Sequence, residues 1–234
     1  MIPMLDDLLE NGENRIKSSL DRIQSDVLAM SEMAKNLLLK TELGWEIDLN
    51  SIPIPGRETW VYHSLRDFSF NRTQCSNLVN SSPGAEIKSG HYTAAIFNQT
   101  LIIRDTAVPF QLEIDSIGTF PVSKQKNLKI ELLDYAPNSL PTSKSHVWLD
   151  ADEVHFPLKL RTIIAEDQFR PLGCDYSVKV NRYLKDRQMN RLDRPQQLVL
   201  SDPNNDVLWV CGIQIADRPK CSEKTKRVLS LQIF

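Results

Sequence analysis

An α+β protein is predicted, with a long N-terminal helix, a small helix-plus-β-hairpin middle domain and a compact β-rich C-terminal domain carrying a short basic helix. Three observations carry that expectation. Ile16, Leu20, Ile23, Val27, Met30, Ala34 and Leu37 recur at alternating steps of four and three, a heptad seam over three repeats. The run YTAAIF-NQ-TLIIRD (92–105) places two apolar stretches around Asn98-Gln99, as a β-hairpin does. Residues 158–200 carry nine basic and five acidic side chains, net +4, in a chain whose formal total is −2.

Residues 4–10 read as a short helix interrupted by Asn11-Gly12. The seam helix should then run from about Glu13 to Glu42 and end at Gly44. So narrow a stripe wants another helix against it, from the same protein or a second copy. Trp45–Leu49 alternates as a strand, and the Pro-rich turn SIPIPGRE follows. Thr59–Asp67 is expected to be helical, with His63 a half-buried helix residue rather than a catalytic base. Asn71 is placed to cap a further helix over Arg72–Val79. SSPGAEIKSG (81–90) reads as a loop, without the glycine spacing or Lys-Ser/Thr ending of a phosphate-cradling loop. Short extended runs follow in FQLEID, KNLKIELLD and HVWLD. The Pro/Ser/Asn-rich stretch Ala136–Ser145 is the best linker in the chain. The expected division is thus a helical connector at 1–43, a middle domain at 44–135, a linker at 136–146 and a C-terminal domain at 147–234.

Within the basic stretch, Pro171-Leu172-Gly173 makes a turn and Ser177 is placed to cap a short helix. At about 100° per residue, Val180, Tyr183 and Leu184 share one face of that helix and Lys179, Arg182 and Lys185 the other. Anchored by its apolar side, such a helix holds cations toward solvent, where Lys and Arg suit phosphate oxygens. Most charge-rich helix faces are merely solvated, so composition alone does not make this an RNA site. Tyr176 is expected in the core rather than stacked on an unpaired base.

Composition narrows the classes. With 41% hydrophobic and 25% charged residues, the chain is that of a soluble globular protein with a real core. No apolar run reaches the ~18–20 residues of a membrane span, and the N-terminal residues lack a signal-peptide pattern, so a cytoplasmic location is expected. Cys75, Cys174, Cys211 and Cys221 form no C-x-x-C pair, and His63, His91, His146 and His155 are equally scattered, so no metal site is expected. Residues 1–148 carry net −4 and residues 149–234 net +2, so any nucleic-acid contact must rest on a local patch.

The order FRPLG, then Ser177-x-Lys179-Val180, then Tyr183-Leu184-x-Asp186, then Arg194, resembles the C-terminal domain of bacterial tRNA(Ile)-lysidine synthetases. The likeness continues through VLWVCGIQIADRPKCSEKTKRVLSL (207–231), so it covers some 80 residues. A weaker likeness to the family's middle domain lies in the helices and hairpin before it. The resemblance implies a ligase that joins lysine to the wobble cytidine of an isoleucine tRNA with a CAU anticodon, using ATP and magnesium. In that family the chemistry lives on a Ser-Gly-Gly-x-Asp-Ser loop, and this chain has only Ser89-Gly90-His91. Rossmann glycines, H-E-x-x-H and G-x-S-x-G are absent too. Met1–Leu5 resembles the passage from the family's ATP domain into a connecting helix. The expectation is a chain that positions tRNA, binds no cofactor, has no catalytic residue and forms no bond by itself.

Lys179 and Arg194 stand where the family motif keeps basic residues, and Arg161, Arg218 and Lys224 match other basic positions of the family. With Arg182 and Lys185 from the helical spacing, these seven form the expected RNA-binding set. Arg161 could equally pair with Glu166 or Asp167. Cys174, Asp175, Tyr176 and Val178 depart from the family's Met-Lys-Gly and paired lysines, which moves the expected phosphate contacts toward Arg182, Lys185, Arg187 and Arg191. Family analogy points to the acceptor stem. Two other readings stay open: a stand-alone RNA-binding adaptor, and an interaction module that uses the 16–37 seam to dimerise or dock a partner.

Overall fold

The computed structural model describes residues 12–82, 84–123, 125–135, 141 and 143–234. The fold is α+β, and it divides into two units, Met1–Thr106 and Ala107–Phe234. The expected helix at 4–10 and most of the expected linker lie outside the described residues.

In the first unit, helix α1 (Gly12–Lys35) precedes strands β1 (Leu39–Thr41) and β2 (Gly44–Asp48), helices α2 (Arg57–Leu65) and α3 (Arg72–Asn80), and strands β3 (Glu86–Ser89), β4 (Tyr92–Phe97) and β5 (Thr100–Asp105). The strands form one antiparallel sheet in the order β1-β2-β5-β4-β3. Its inward residues Ile47, Ala94, Leu101 and Ile103 pack on Val61 and Leu65 of α2 and Cys75 and Leu78 of α3. The α3 start is as expected: Asn71 accepts from Gln74 N and Gln74 Oε1 accepts from Asn71 N, a reciprocal capping box. The β4–β5 turn also matches, since Asn98 and Gln99 both take positive φ (47° and 62°), as a two-residue hairpin turn requires.

Three expectations are corrected here. Helix α1 stops at Lys35, because Leu37 and Leu38 turn into the core and the following residues pair with β2. Gly44 does not end a helix. It opens β2 at φ +148°, where a Cβ would stand 2.3 Å from Ile103 O, so the close approach of β5 demands glycine. Part of the expected 81–90 loop is strand β3, held on β4 by Ile87 opposite Ala94.

The α1 seam is largely uncovered. Only its last turns dock on α2, where Ser64 Oγ donates to Ala34 O (2.9 Å) and Ser31 Oγ lies 2.8 Å from His63 Nδ1. Leu20 and Ile23 are each 59% exposed and Val27 41%. His63 itself is buried, deeper than its helical position suggested.

The second unit holds β6 (Gln111–Ile114), β7 (Gly118–Pro121), β8 (Asn127–Asp134), β9 (His146–Asp150), β10 (Leu158–Thr162), β11 (Gln168–Phe169), β12 (Val178–Lys179), helix α4 (Val180–Asp186), β13 (Leu198–Ser201), β14 (Val207–Val210), β15 (Gln214–Ile215) and β16 (Arg227–Ile233). Two antiparallel sheets, β15-β14-β13-β10-β6 and β7-β8-β16-β9, enclose a shared core of Leu158, Leu160, Leu200 and Trp209 against Leu128, Ile130, Leu149 and Leu231. β13 and β14 read as unbroken apolar runs because the first sheet is buried on both faces. Its other face carries Val199 and Val210 against Phe169, Val180 and Leu184. The expected division changes accordingly. Strands β6–β8, assigned from the sequence to a middle domain, pair with β10 and β16 and complete the second unit. His146, placed in the linker, begins β9.

Candidate nucleic-acid interface

Between β10 and β13, residues 163–197 fold over the outer face of the first sheet and carry most of the basic stretch. Their placement begins with a buried ion pair. Arg161 on β10 donates from Nη1 to Asp167 Oδ2 (2.8 Å) and from Nη2 to Asp167 Oδ1 (2.7 Å). Asp167 Oδ2 also accepts from Ile164 N (2.8 Å), and Asp167 O accepts from Val180 N (2.9 Å), so the pair fixes the start of α4. Both side chains are buried. Arg161 is therefore removed from the expected RNA-binding set: its guanidinium is committed to a two-pronged bridge away from solvent.

Helix α4 lies as its spacing requires. Val180 and Leu184 are fully buried, Tyr183 is half-buried on the edge of Phe169 (5.0 Å between centroids), and Lys179, Arg182 and Lys185 face solvent. The expected cap at Ser177 does not form. The β11–β12 ladder extends to Lys179, which occupies the N-cap position without a side-chain bond, while Val180 N is satisfied by Asp167. Arg182 approaches Asp186 at 3.9 Å one turn on, a loose exposed pair. Arg187 stacks its guanidinium 3.7 Å above the Tyr183 ring. Burial raises the Tyr183 pKa against the opposing effect of that cation, so the phenol stays neutral.

Arg194 opens a single 3-10 turn and donates from Nη1 to Asn181 Oδ1 (3.0 Å), which ties it to α4. Arg218 and Lys224 stand on the segment between β15 and β16. Arg218 is 77% exposed and 3.6 Å from Glu153, and Lys224 is exposed. The structure thus brings Lys179, Arg182, Lys185 and Arg194 onto one helix and its neighbour, with Arg218 and Lys224 on a separate turn.

Asp217 joins that turn to the FRPLG segment. It accepts from Lys220 Nζ (2.8 Å), Gly173 N (3.2 Å) and Arg170 Nη2 (2.7 Å), and these donors hold its pKa below the ordinary aspartate value, Lys220 foremost. Gly173 takes φ +81°, and Pro171 bridges to Ala216. Arg170 and Lys220 were not singled out by spacing, because their common partner lies 47 positions from one and 3 from the other. Tyr176, expected in the core, is 61% exposed, since the turn at 171–176 carries it off the sheet. Among the described residues no group of three or more His, Cys, Asp or Glu is arranged to hold a metal ion. No helix among them is long and apolar enough to cross a membrane.

A search for family models matches none. The tRNA(Ile)-lysidine synthase of Parabacteroides distasonis is 23% identical over 245 aligned residues, covering 98% of this chain and 54% of that protein. The synthase of Dehalococcoides mccartyi is 31% identical over 107 residues, 45% of this chain and 22% of its own length. That of Shouchella clausii is 37% identical over 68 residues, 29% of this chain and 14% of its own length. Among solved structures, the TilS C-terminal domain covers 54% of this chain and 96% of its own, at 18% identity and a TM-score of 0.48. The chain spans about half the length of the Parabacteroides protein. Along nearly all of its length, then, the chain is similar to tRNA(Ile)-lysidine synthases, the family that its basic stretch resembles.

Proposed function

We propose that this chain is the tRNA-positioning part of a tRNA(Ile)-lysidine synthase, the ligase that uses ATP to attach lysine to the wobble cytidine of an isoleucine tRNA. The observation that carries the reading is similarity to a protein of that name over 98% of the chain. The solvent-facing cations of α4 support it, because they offer phosphate contacts on a rigid, buried anchor. In this reading Lys179, Arg182, Lys185 and Arg194 bind the RNA backbone, with Arg218 and Lys224 contributing from the second turn. ATP, magnesium and lysine are handled by residues outside the chain described here, and the chain alone is inactive as a ligase.

The test is the affinity of the chain for isoleucine tRNA with a CAU anticodon across a salt series, with the CAU methionine tRNA as comparator. The expected result is salt-sensitive binding that weakens when Lys179 and Lys185 are changed to Ala together. The salt slope should shallow by roughly one unit for each phosphate-binding cation removed. Preference for the isoleucine tRNA would locate discrimination outside the anticodon bases. No salt-dependent binding to either tRNA would overturn the reading.

A second reading rests on the exposed α1 seam. Leu20, Ile23 and Val27 at heptad spacing favour a helix-mediated contact with a protein, a second copy of this chain being the simplest partner. Light scattering over a concentration range tests it, and an unchanging monomer mass would reject self-association.

A further inference from the structure

The first unit contains a cavity of about 330 Å³ that the reading above does not use. Leu49 and Ile96 supply apolar wall, while Arg57, Ser82, Asn98 and Gln99 bring polar side chains to it. Among the described residues, Arg57 is the only charged side chain lining it. Its guanidinium is held rigid: Nη2 donates to Leu49 O (3.0 Å) and Ile52 O (3.4 Å), while Nε is buried without a partner. Among the described residues Nη1 makes no hydrogen bond and no carboxylate lies within ion-pair distance of the guanidinium, so there this cation has no counter-charge. Asn98 and Gln99 form the positive-φ hairpin turn, pinned where Gln99 O accepts from Leu49 N (2.8 Å), and their amide side chains are unbonded among the described residues. Ser82 Oγ is likewise unbonded and exposed at the rim. A fixed cation and three neutral donors therefore surround one concavity with an apolar wall.

That set matches one ligand chemistry better than its rivals. A carboxylate presents two oxygens, whereas a phosphate monoester presents three and carries an organic group for the apolar wall. A preorganised guanidinium loses little freedom on binding it. We propose that this cavity binds a phosphate monoester, with its oxygens on Arg57 and the Ser82, Asn98 and Gln99 side chains and its organic part against Leu49 and Ile96. The site is independent of the α4 reading and of any tRNA contact there. Its ligand is either a free phosphate ester or the 5′-phosphorylated end of an RNA.

The experiment is an amide NMR titration of the full chain with phenyl phosphate, with inorganic phosphate and benzoate as comparators. Saturable shifts at Ser82, Asn98 and Gln99 are expected, with phenyl phosphate binding at least about tenfold more tightly than either comparator. Ser82→Asp adds a carboxylate to the lining that Arg57 shares, at an exposed position and without touching the residues that hold Arg57, and should weaken phenyl phosphate by about tenfold or more without lowering Tm. Absence of saturable shifts, equal binding of benzoate, or unchanged binding by a folded Ser82→Asp variant would each overturn the proposal. Displacement of phenyl phosphate by a 5′-phosphorylated RNA hairpin but not by its 5′-hydroxyl form assigns the RNA end. Displacement by adenosine monophosphate but by neither hairpin assigns a free ester.

Discussion

Replacing Asp167 by Ala strands Arg161 in the second unit, and the structure sets the size of the effect. The change removes both prongs of the Arg161 bridge, at 2.8 and 2.7 Å, and the bond from Ile164 N. Arg161 is only 7% exposed, so water cannot replace the missing acceptor without opening the loop. Leaving one member of a buried pair uncompensated costs about 3–5 kcal/mol. Against a total of roughly 5–15 kcal/mol for a domain, that is a large fraction. Urea unfolding of Asp167→Ala should therefore show a midpoint far below the parent. The double variant Arg161→Met, Asp167→Leu should recover most of the stability, because two apolar side chains need no partner. The same double variant, once folded, should keep the parent's tRNA affinity and salt slope. A destabilisation below about 1 kcal/mol in Asp167→Ala would refute the buried-pair argument. A tRNA affinity that falls in the refolded double variant would restore Arg161 to the RNA-binding set.

Other consequences can be checked as directly. Gly44→Ala drives a Cβ toward Ile103 O at a φ that side chains rarely adopt, and should cost the first unit more than about 2 kcal/mol in denaturant unfolding. Burial foremost, then Arg72 and Arg66, holds the His63 pKa below its ordinary value of 6.5. The folded state thus binds that proton less readily than the unfolded chain, so its contribution is complete above pH 6.5 and is lost as pH falls toward the folded value. Unfolding of the first unit at pH 7.5 and 5.5 should show this loss, and His63→Gln should flatten it. Ile23→Glu on the exposed seam should leave Tm nearly unchanged, which differential scanning calorimetry would show, since the side chain is 59% exposed.

Much of the architecture was legible because it rests on local rules. The Asn71 capping box, the Asn98-Gln99 turn and the buried face of α4 each follow from residues within four positions of one another. What escaped depends on partners distant in sequence. Nothing local says that Leu37 and Leu38 leave the helix for the core of a sheet closed by residues near 103. The run 111–134 reads as strands in isolation, but only the sheets say that it belongs with 146–233. The site divides in the same way. The solvent face of α4 was visible at 100° per residue, whereas the roles of Asp217 and Tyr176 came from a turn whose partners are dozens of positions away.

The internal ion pairs also rank the cations for phosphate binding. A cation that already holds a carboxylate must surrender that partner before it takes another, so its net contribution to RNA affinity is reduced. Arg161 is wholly committed, and Arg170 and Lys220 share Asp217. Arg182 and Arg218 hold acids only loosely, at 3.9 and 3.6 Å on exposed side chains, and can exchange them at little cost. Lys179, Lys185 and Lys224 make no ion pair among the described residues, so each keeps its full charge for a partner. Lys185 stands on α4 and Lys179 at its N-cap, next to Val180, whose N donates to the O of Asp167, the partner of Arg161. The buried pair therefore serves the candidate interface by holding its helix in place, while the exposed lysines, which no acid claims among the described residues, are the groups free to meet phosphate.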